Sequence, residues 1–103
     1  MKEYSLKRGF SPEIGRIRSV LEKNFPAKIK EDNGKLNMTY GAFNRLTLYI
    51  DNKKLIVDSE SNKIIIDEEI LDTNKRYRDF LEEATGYTAK ERLKMAKKAV
   101  QGD

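Results

Sequence analysis

Cysteine, histidine and tryptophan are all absent from the 103 residues. Without cysteine there can be no disulfide, no thiolate zinc site and no cysteine nucleophile. Without histidine the chain also lacks the commonest transition-metal ligand and the usual acid/base group of neutral pH. Carboxylates, lysine and tyrosine are left for any chemistry. The sequence therefore predicts a protein that is not an enzyme and holds no metal or cofactor. Only two prolines and six singly placed glycines occur, and they form no Walker loop, dinucleotide fingerprint or nucleophile elbow. No stretch approaches the roughly 18 to 20 apolar residues of a membrane span, and the opening MKEYSLKRGF has no apolar h-region. A cytoplasmic protein without a membrane partner is the expectation.

Charge is abundant. Lysine and arginine number 21 against 17 acids, a formal charge of +4. Residues 1 to 50 carry ten basic and five acidic groups, whereas Asp58 to Asp72 carries six acids and Lys63 alone. The length suits one domain, residues 1–103, with enough chain to bury a core without covalent staples.

Hydrophobic spacing supplies the elements. Glu3 to Lys7 alternates and predicts a short strand, with Tyr4 and Leu6 on one side. Ser11-Pro12-Glu13 reads as a helix opening, with Ser11 as cap, ahead of the apolar stripe Ile14, Ile17, Val20 and Leu21. Gly15 inside that helix suggests a backbone passing close by. From Ala27 the period becomes two. Ala27–Asp32 and Lys35–Tyr40 flank Asn33-Gly34, a pair suited to a type I′ hairpin turn. Arg45–Ile50 and Leu55–Glu60 continue the meander. Ile64-Ile65-Ile66 is either a fifth edge strand or the approach to a long helix. That helix has Asp72 or Thr73 as its cap, or a start as early as Asp67, and its buried stripe is Tyr77, Phe80, Leu81 and Ala84. Gly86 ends it, and the capping box Thr88-Ala89-Lys90-Glu91 starts another. The predicted fold is an α+β two-layer sandwich: an antiparallel sheet of four to five strands with helices on one face.

Lys7-Arg8-Gly9, Gly41-Ala42-Phe43, Thr73 to Tyr77 and Phe80 to Arg92 resemble a family of small archaeal proteins without an assigned activity. The resemblance implies a TATA-binding-protein-like fold, to which the helix from Thr88 is an addition. It implies no function.

Function must then be read from surfaces. If Ile29, Leu36, Met38, Leu46, Leu48, Leu55 and Val57 point inward, alternation turns Lys28, Lys30, Lys35, Asn37, Arg45, Thr47 and Tyr49 outward. Cations, hydrogen-bonding groups and one aromatic suit a phosphate backbone and a stacked base. Lys90, Lys94, Lys97 and Lys98 form a second basic stripe, on the last helix. DNA or RNA is thus the first expected partner. The second is another protein or a second copy, docked on Ala89, Leu93, Ala96 and Val100 of the same helix. Both basic groups also serve solubility, and the helical one complements a helix dipole. The acids Asp67-Glu68-Glu69 and Glu82-Glu83 suit a helix start and a solvent face rather than catalysis.

Overall fold

The computed structural model describes the backbone of residues 2–101 and the side chains of residues 2–95. Five strands, β1 (Lys2–Ser5), β2 (Lys30–Asp32), β3 (Lys35–Tyr40), β4 (Phe43–Asp51) and β5 (Lys54–Ser61), form one antiparallel sheet in the order β1-β5-β4-β3-β2. Three helices accompany it: α1 (Ile14–Asn24), α2 (Asp67–Thr85) and α3 (Ala89–Gln101). The sheet's inner face supplies Leu36, Met38, Leu46, Leu48, Leu55 and Val57 to the core. Ile17 and Leu21 from α1 and Phe80, Leu81 and Ala84 from α2 close it from above. All seven positions expected to point inward are buried.

The hairpin between β2 and β3 turns at Asn33 and Gly34, both at positive φ (51° and 76°), as a type I′ turn requires. Helix α2 ends at Gly86, which is left-handed at φ 81°. Thr88 and Glu91 then exchange hydrogen bonds in both directions, the Glu91 amide donating to Oγ1 of Thr88 (3.2 Å) and the Thr88 amide to Glu91 (3.1 Å). The two C-terminal helices are therefore separate elements.

Several expectations need correction. The fifth strand is β1; Ile64-Ile65-Ile66 is irregular, leaves Ile64 and Ile66 exposed, and leads directly into α2 at Asp67. Asp72 and Thr73 lie inside α2, not at its start. Asp67, Glu68 and Glu69 occupy the first turn instead, beside the positive pole of the dipole. Ser11 does not cap α1, because the chain is still extended at Glu13 (φ −104°, ψ 130°) and the Ser11 carbonyl accepts from Arg16 Nε at 2.8 Å. Gly15 has no close neighbour, since a Cβ there would meet nothing within 4 Å. Strands β1 and β2 are shorter than the alternation suggests, whereas β4 starts at Phe43 rather than Arg45.

That last difference has a local cause. A bulge in β4 puts two positions, Phe43 and Arg45, opposite the consecutive residues Ser61 and Glu60. The extra residue breaks strict alternation, so Phe43 and Leu46 both face the core although three positions apart. Phe43 meets Tyr77 edge-on, with ring centroids 5.3 Å apart.

Two arginines lock the helix pair. Arg16 of α1 donates to the Ala84 carbonyl at the end of α2 (2.6 Å), and Arg76 of α2 donates to the Asn24 carbonyl at the end of α1 (3.0 Å). Each guanidinium thus satisfies a last-turn carbonyl that has no partner within its helix. Burial pulls the Arg16 pKa below its usual value, against a smaller upward pull from Glu13.

Candidate nucleic-acid interface

With helices α1 and α2 on one face, the other face of the sheet is the extended surface left to build a site on. Its side chains follow from the register. Lys30 lies opposite Asn37, Asn37 opposite Thr47, and Thr47 opposite Asp58, so these four form one row across β2, β3, β4 and β5. Lys35 and Tyr49 share that face, and the Lys35 ammonium sits 4.9 Å above the Tyr49 ring. All five expected sheet residues, Lys28, Lys30, Lys35, Arg45 and Tyr49, therefore belong to one surface.

Lys28, Lys30, Asn37, Met38, Thr39 and Arg45 line a shallow depression of about 320 Å³ beside the β4 bulge. Lys28 and Lys30 are exposed and, among the described residues, have no ion pair. The other polar groups are already engaged. Thr47 donates to Oδ1 of Asn37 (2.7 Å), and Thr39 donates to the Asn44 carbonyl (3.2 Å). Arg45 reaches across to β5, meeting Asp58 at 3.3 Å and Glu60 at 3.7 Å.

Those two acids escape a search for basic residues, although the same alternation locates them. Continued from Leu55 and Val57, it puts Ile56, Asp58 and Glu60 on the outer face, and β5 folds back beside β4. Glu3 of β1 pairs with Ile56 and extends the same side. Ile56 is itself buried but stands outside the core cluster, between Glu3 and Tyr49 on the neighbouring strands. The outer face is thus divided, mainly basic over β2 and β3, where Asp32 stands among the lysines, mixed at Arg45, and mainly acidic over β5 and β1, where Lys54 accompanies Asp58, Glu60 and Glu3.

The second basic group lies elsewhere. Helix α3 starts near the end of β1, where the Lys7 amide donates to the Thr85 carbonyl (2.8 Å) and the Lys7 ammonium lies 5.9 Å from the Tyr87 ring. The hydrogen bonds from Thr88, that of its backbone amide foremost, hold the Glu91 carboxyl below its usual range, and the Lys7 charge adds to the effect. Strand β1 is the sheet edge opposite β2, so Lys90 and Lys94 are not brought together with Lys28 and Lys30. Lys90 and Lys94 are exposed; the side chains of Lys97 and Lys98 lie outside the described residues. On the apolar side of α3, Ala89 is exposed and Leu93 is 59% exposed, while the side chains of Ala96 and Val100 are again outside the described residues.

Among the described residues no three acidic groups converge as a metal site would need, and no helix is long and apolar enough to cross a membrane. Tyr77 is the most perturbed group. Burial, reinforced by the hydroxyl of Tyr4 at 3.1 Å, drives its pKa far above the ordinary tyrosine value. Its ring packs against Phe43 and Phe80, and its hydroxyl meets another tyrosine, so it acts as a core residue with a satisfied polar tip.

Residues 1–98 match the model of a family described as Domain of unknown function (DUF5611), and the chain belongs to that family. The solution structure of hypothetical protein TA0095 from Thermoplasma acidophilum is similar at 28% identity. The match covers 93% of this chain and 97% of that one, with a TM-score of 0.67. No curated protein matches. The likeness thus extends to a small archaeal relative, and it names no reaction and no ligand.

Proposed function

We propose that this chain is a non-enzymatic module that binds nucleic acid through the basic part of its outer sheet face. The observation that carries the reading is the depression lined by Lys28, Lys30 and Arg45, in which the two lysine ammonium groups have no acidic partner among the described residues. Exposed cations beside a concave surface attract phosphates, and neutralising each phosphate releases condensed counterion. The order strand, helix, four strands, helix also supports the TATA-binding-protein-like fold implied by the sequence resemblance, with α3 as an addition. A shared fold contributes only analogy to the functional reading.

The test is a binding titration against DNA and RNA oligonucleotides over a range of salt. Replacing Lys28, Lys30 and Lys35 by Glu should weaken binding far more than replacing Glu82 and Glu83 by Gln. For every phosphate no longer neutralised, the slope of log K against log salt should become shallower by roughly 0.7 to 0.9. A slope indifferent to the three lysines would refute the reading.

One observation favours a second reading. Leu93, 59% exposed on α3, and the exposed Ala89 one turn before it leave part of the apolar side of that helix open to another protein or a second copy. Substituting Leu93 by Asp should then abolish an association visible by sedimentation equilibrium, without lowering the melting temperature. An unchanged sedimentation profile would remove this alternative.

A further inference from the structure

Resting on the proposed sheet-face site, we infer that its ligand is a short run of phosphates on a single strand, held without regard to base sequence. Reading a base requires donors, acceptors or a ring that the protein has not already used. Asn37 and Thr47 are hydrogen-bonded to each other, and the Thr39 hydroxyl is given to the Asn44 carbonyl. Arg45, the residue type best suited to a bidentate contact with guanine, is engaged by Asp58 and Glu60. The ring of Tyr49 has Lys35 above it and Ile56 beside it on β5, so a base stacking there would have to displace the ammonium. The Asn37 side-chain oxygen, the Thr39 and Thr47 hydroxyl protons, Arg45 and the Tyr49 ring are thus committed within the protein, and the charges of Lys28 and Lys30 are not. Such a surface reads backbone charge, the contact that positions a strand and carries no sequence information.

Charge across the sheet sets the extent. Lys28 and Lys30 stand at the β2 edge, and Lys35 on β3 has Asp32 directly opposite on β2. Beyond β4 the outer face turns acidic with Asp58 and Glu60, then Glu3. A duplex carries two phosphate chains, one charge per about 1.7 Å of axis, and the second chain would have to lie over those acids, among which β5 turns outward a single lysine, Lys54. A single strand needs only the one line of lysines. Two to three neutralised phosphates at roughly 0.7 each give an expected salt slope of about 1.4 to 2.

The experiment measures fluorescence anisotropy of the full chain with labelled dT12, dA12, a mixed-sequence 12-mer RNA and a 12-base-pair duplex, from low to physiological salt. Expected are affinities for the three single strands within a few-fold of one another, a slope near −1.4 to −2, and weaker binding of the duplex. The Asp58→Asn, Glu60→Gln double variant, checked for folding by its circular dichroism melt, should improve duplex binding relative to single strand, because it removes the acidic border. A tenfold preference for one base sequence, a slope steeper than −4, or a duplex bound more tightly than the single strands would overturn the inference while leaving the site itself in place. Binding of none of the four probes, or binding unaffected by Lys28→Glu with Lys30→Glu, would overturn the site as well.

Discussion

At Thr73 a single hydroxyl joins the helical layer to the sheet. The side chain is fully buried; its Oγ1 donates to the Glu69 carbonyl (2.7 Å) and accepts from the Ala42 amide (3.0 Å) in the β3–β4 turn. Gly41 stands against it at φ 48°, and a Cβ there would collide with the Thr73 hydroxyl. Gly41→Ala should therefore cost at least about 2 kcal/mol, from the left-handed backbone and the overpacking together. Thr73→Val, which keeps the shape but strands the Ala42 amide, should cost about 1 to 3 kcal/mol. Both are read from urea denaturation midpoints, and a Gly41→Ala variant as stable as the parent would show that the turn is free to move. These two residues come from separate stretches, Gly41-Ala42-Phe43 and Thr73 to Tyr77, that carry the family resemblance. The structure shows why they go together, since Phe43 meets Tyr77 as Gly41 meets Thr73. Lys7 and Gly86 repeat the pattern through the Lys7 amide bond to Thr85 and the packing of Phe10 against Gly86. Nothing in either stretch alone announces its partner, because such pairings span more than thirty positions of chain.

Elements whose signals are local were legible in the sequence. The Asn33-Gly34 turn, the Gly86 exit and the Thr88 capping box each work within a few residues, and each stands where its residues place it. The start of α1 was not legible in this way. A Ser-Pro-Glu opening is only a local preference, and here Arg16 takes the Ser11 carbonyl while it reaches over to α2. The β4 bulge left no mark at all, since alternation cannot show an inserted residue. For α3 the capping box yields two expected outcomes. Thr88→Ala should cost about 1 kcal/mol of helix stability, measured as faster amide exchange in α3. Glu91 has its pKa lowered in the folded chain, so its contribution is present above the ordinary glutamate pKa and is lost as pH falls through the lower folded value. The helicity of α3 should accordingly decrease on acidification below the usual glutamate range, and Glu91→Gln should flatten that response. Amide protection in α3 that does not change with acid would show that the box contributes nothing there.

On the scale of the whole molecule, the charge pattern of the sequence and that of the surface differ for a topological reason. Along the chain the acids of Asp58 to Asp72 form a territory apart from the basic first half, yet antiparallel pairing returns β5 to the side of β4 and seats Asp58 and Glu60 against Arg45. The outward direction of Lys28, Lys30 and Lys35 could be read from alternation; their separation from Lys90 and Lys94 could not, because it depends on β1 and β2 being opposite edges of the sheet. That separation makes the two basic groups testable one at a time. Among the described residues, every member of the buried core cluster precedes Thr85, and the described side chains of α3 are exposed or half-buried. A chain ending at Tyr87 should hence keep its cooperative thermal transition, with a melting temperature lowered by the loss of contacts such as that of Arg92 to the Tyr87 carbonyl. If the sheet face carries binding, this shortened chain should hold dT12 within about threefold of the full chain at equal salt, a change of less than about 0.7 kcal/mol. An affinity tenfold or more weaker, in a shortened chain that still melts cooperatively, would transfer the function to α3 and its lysines.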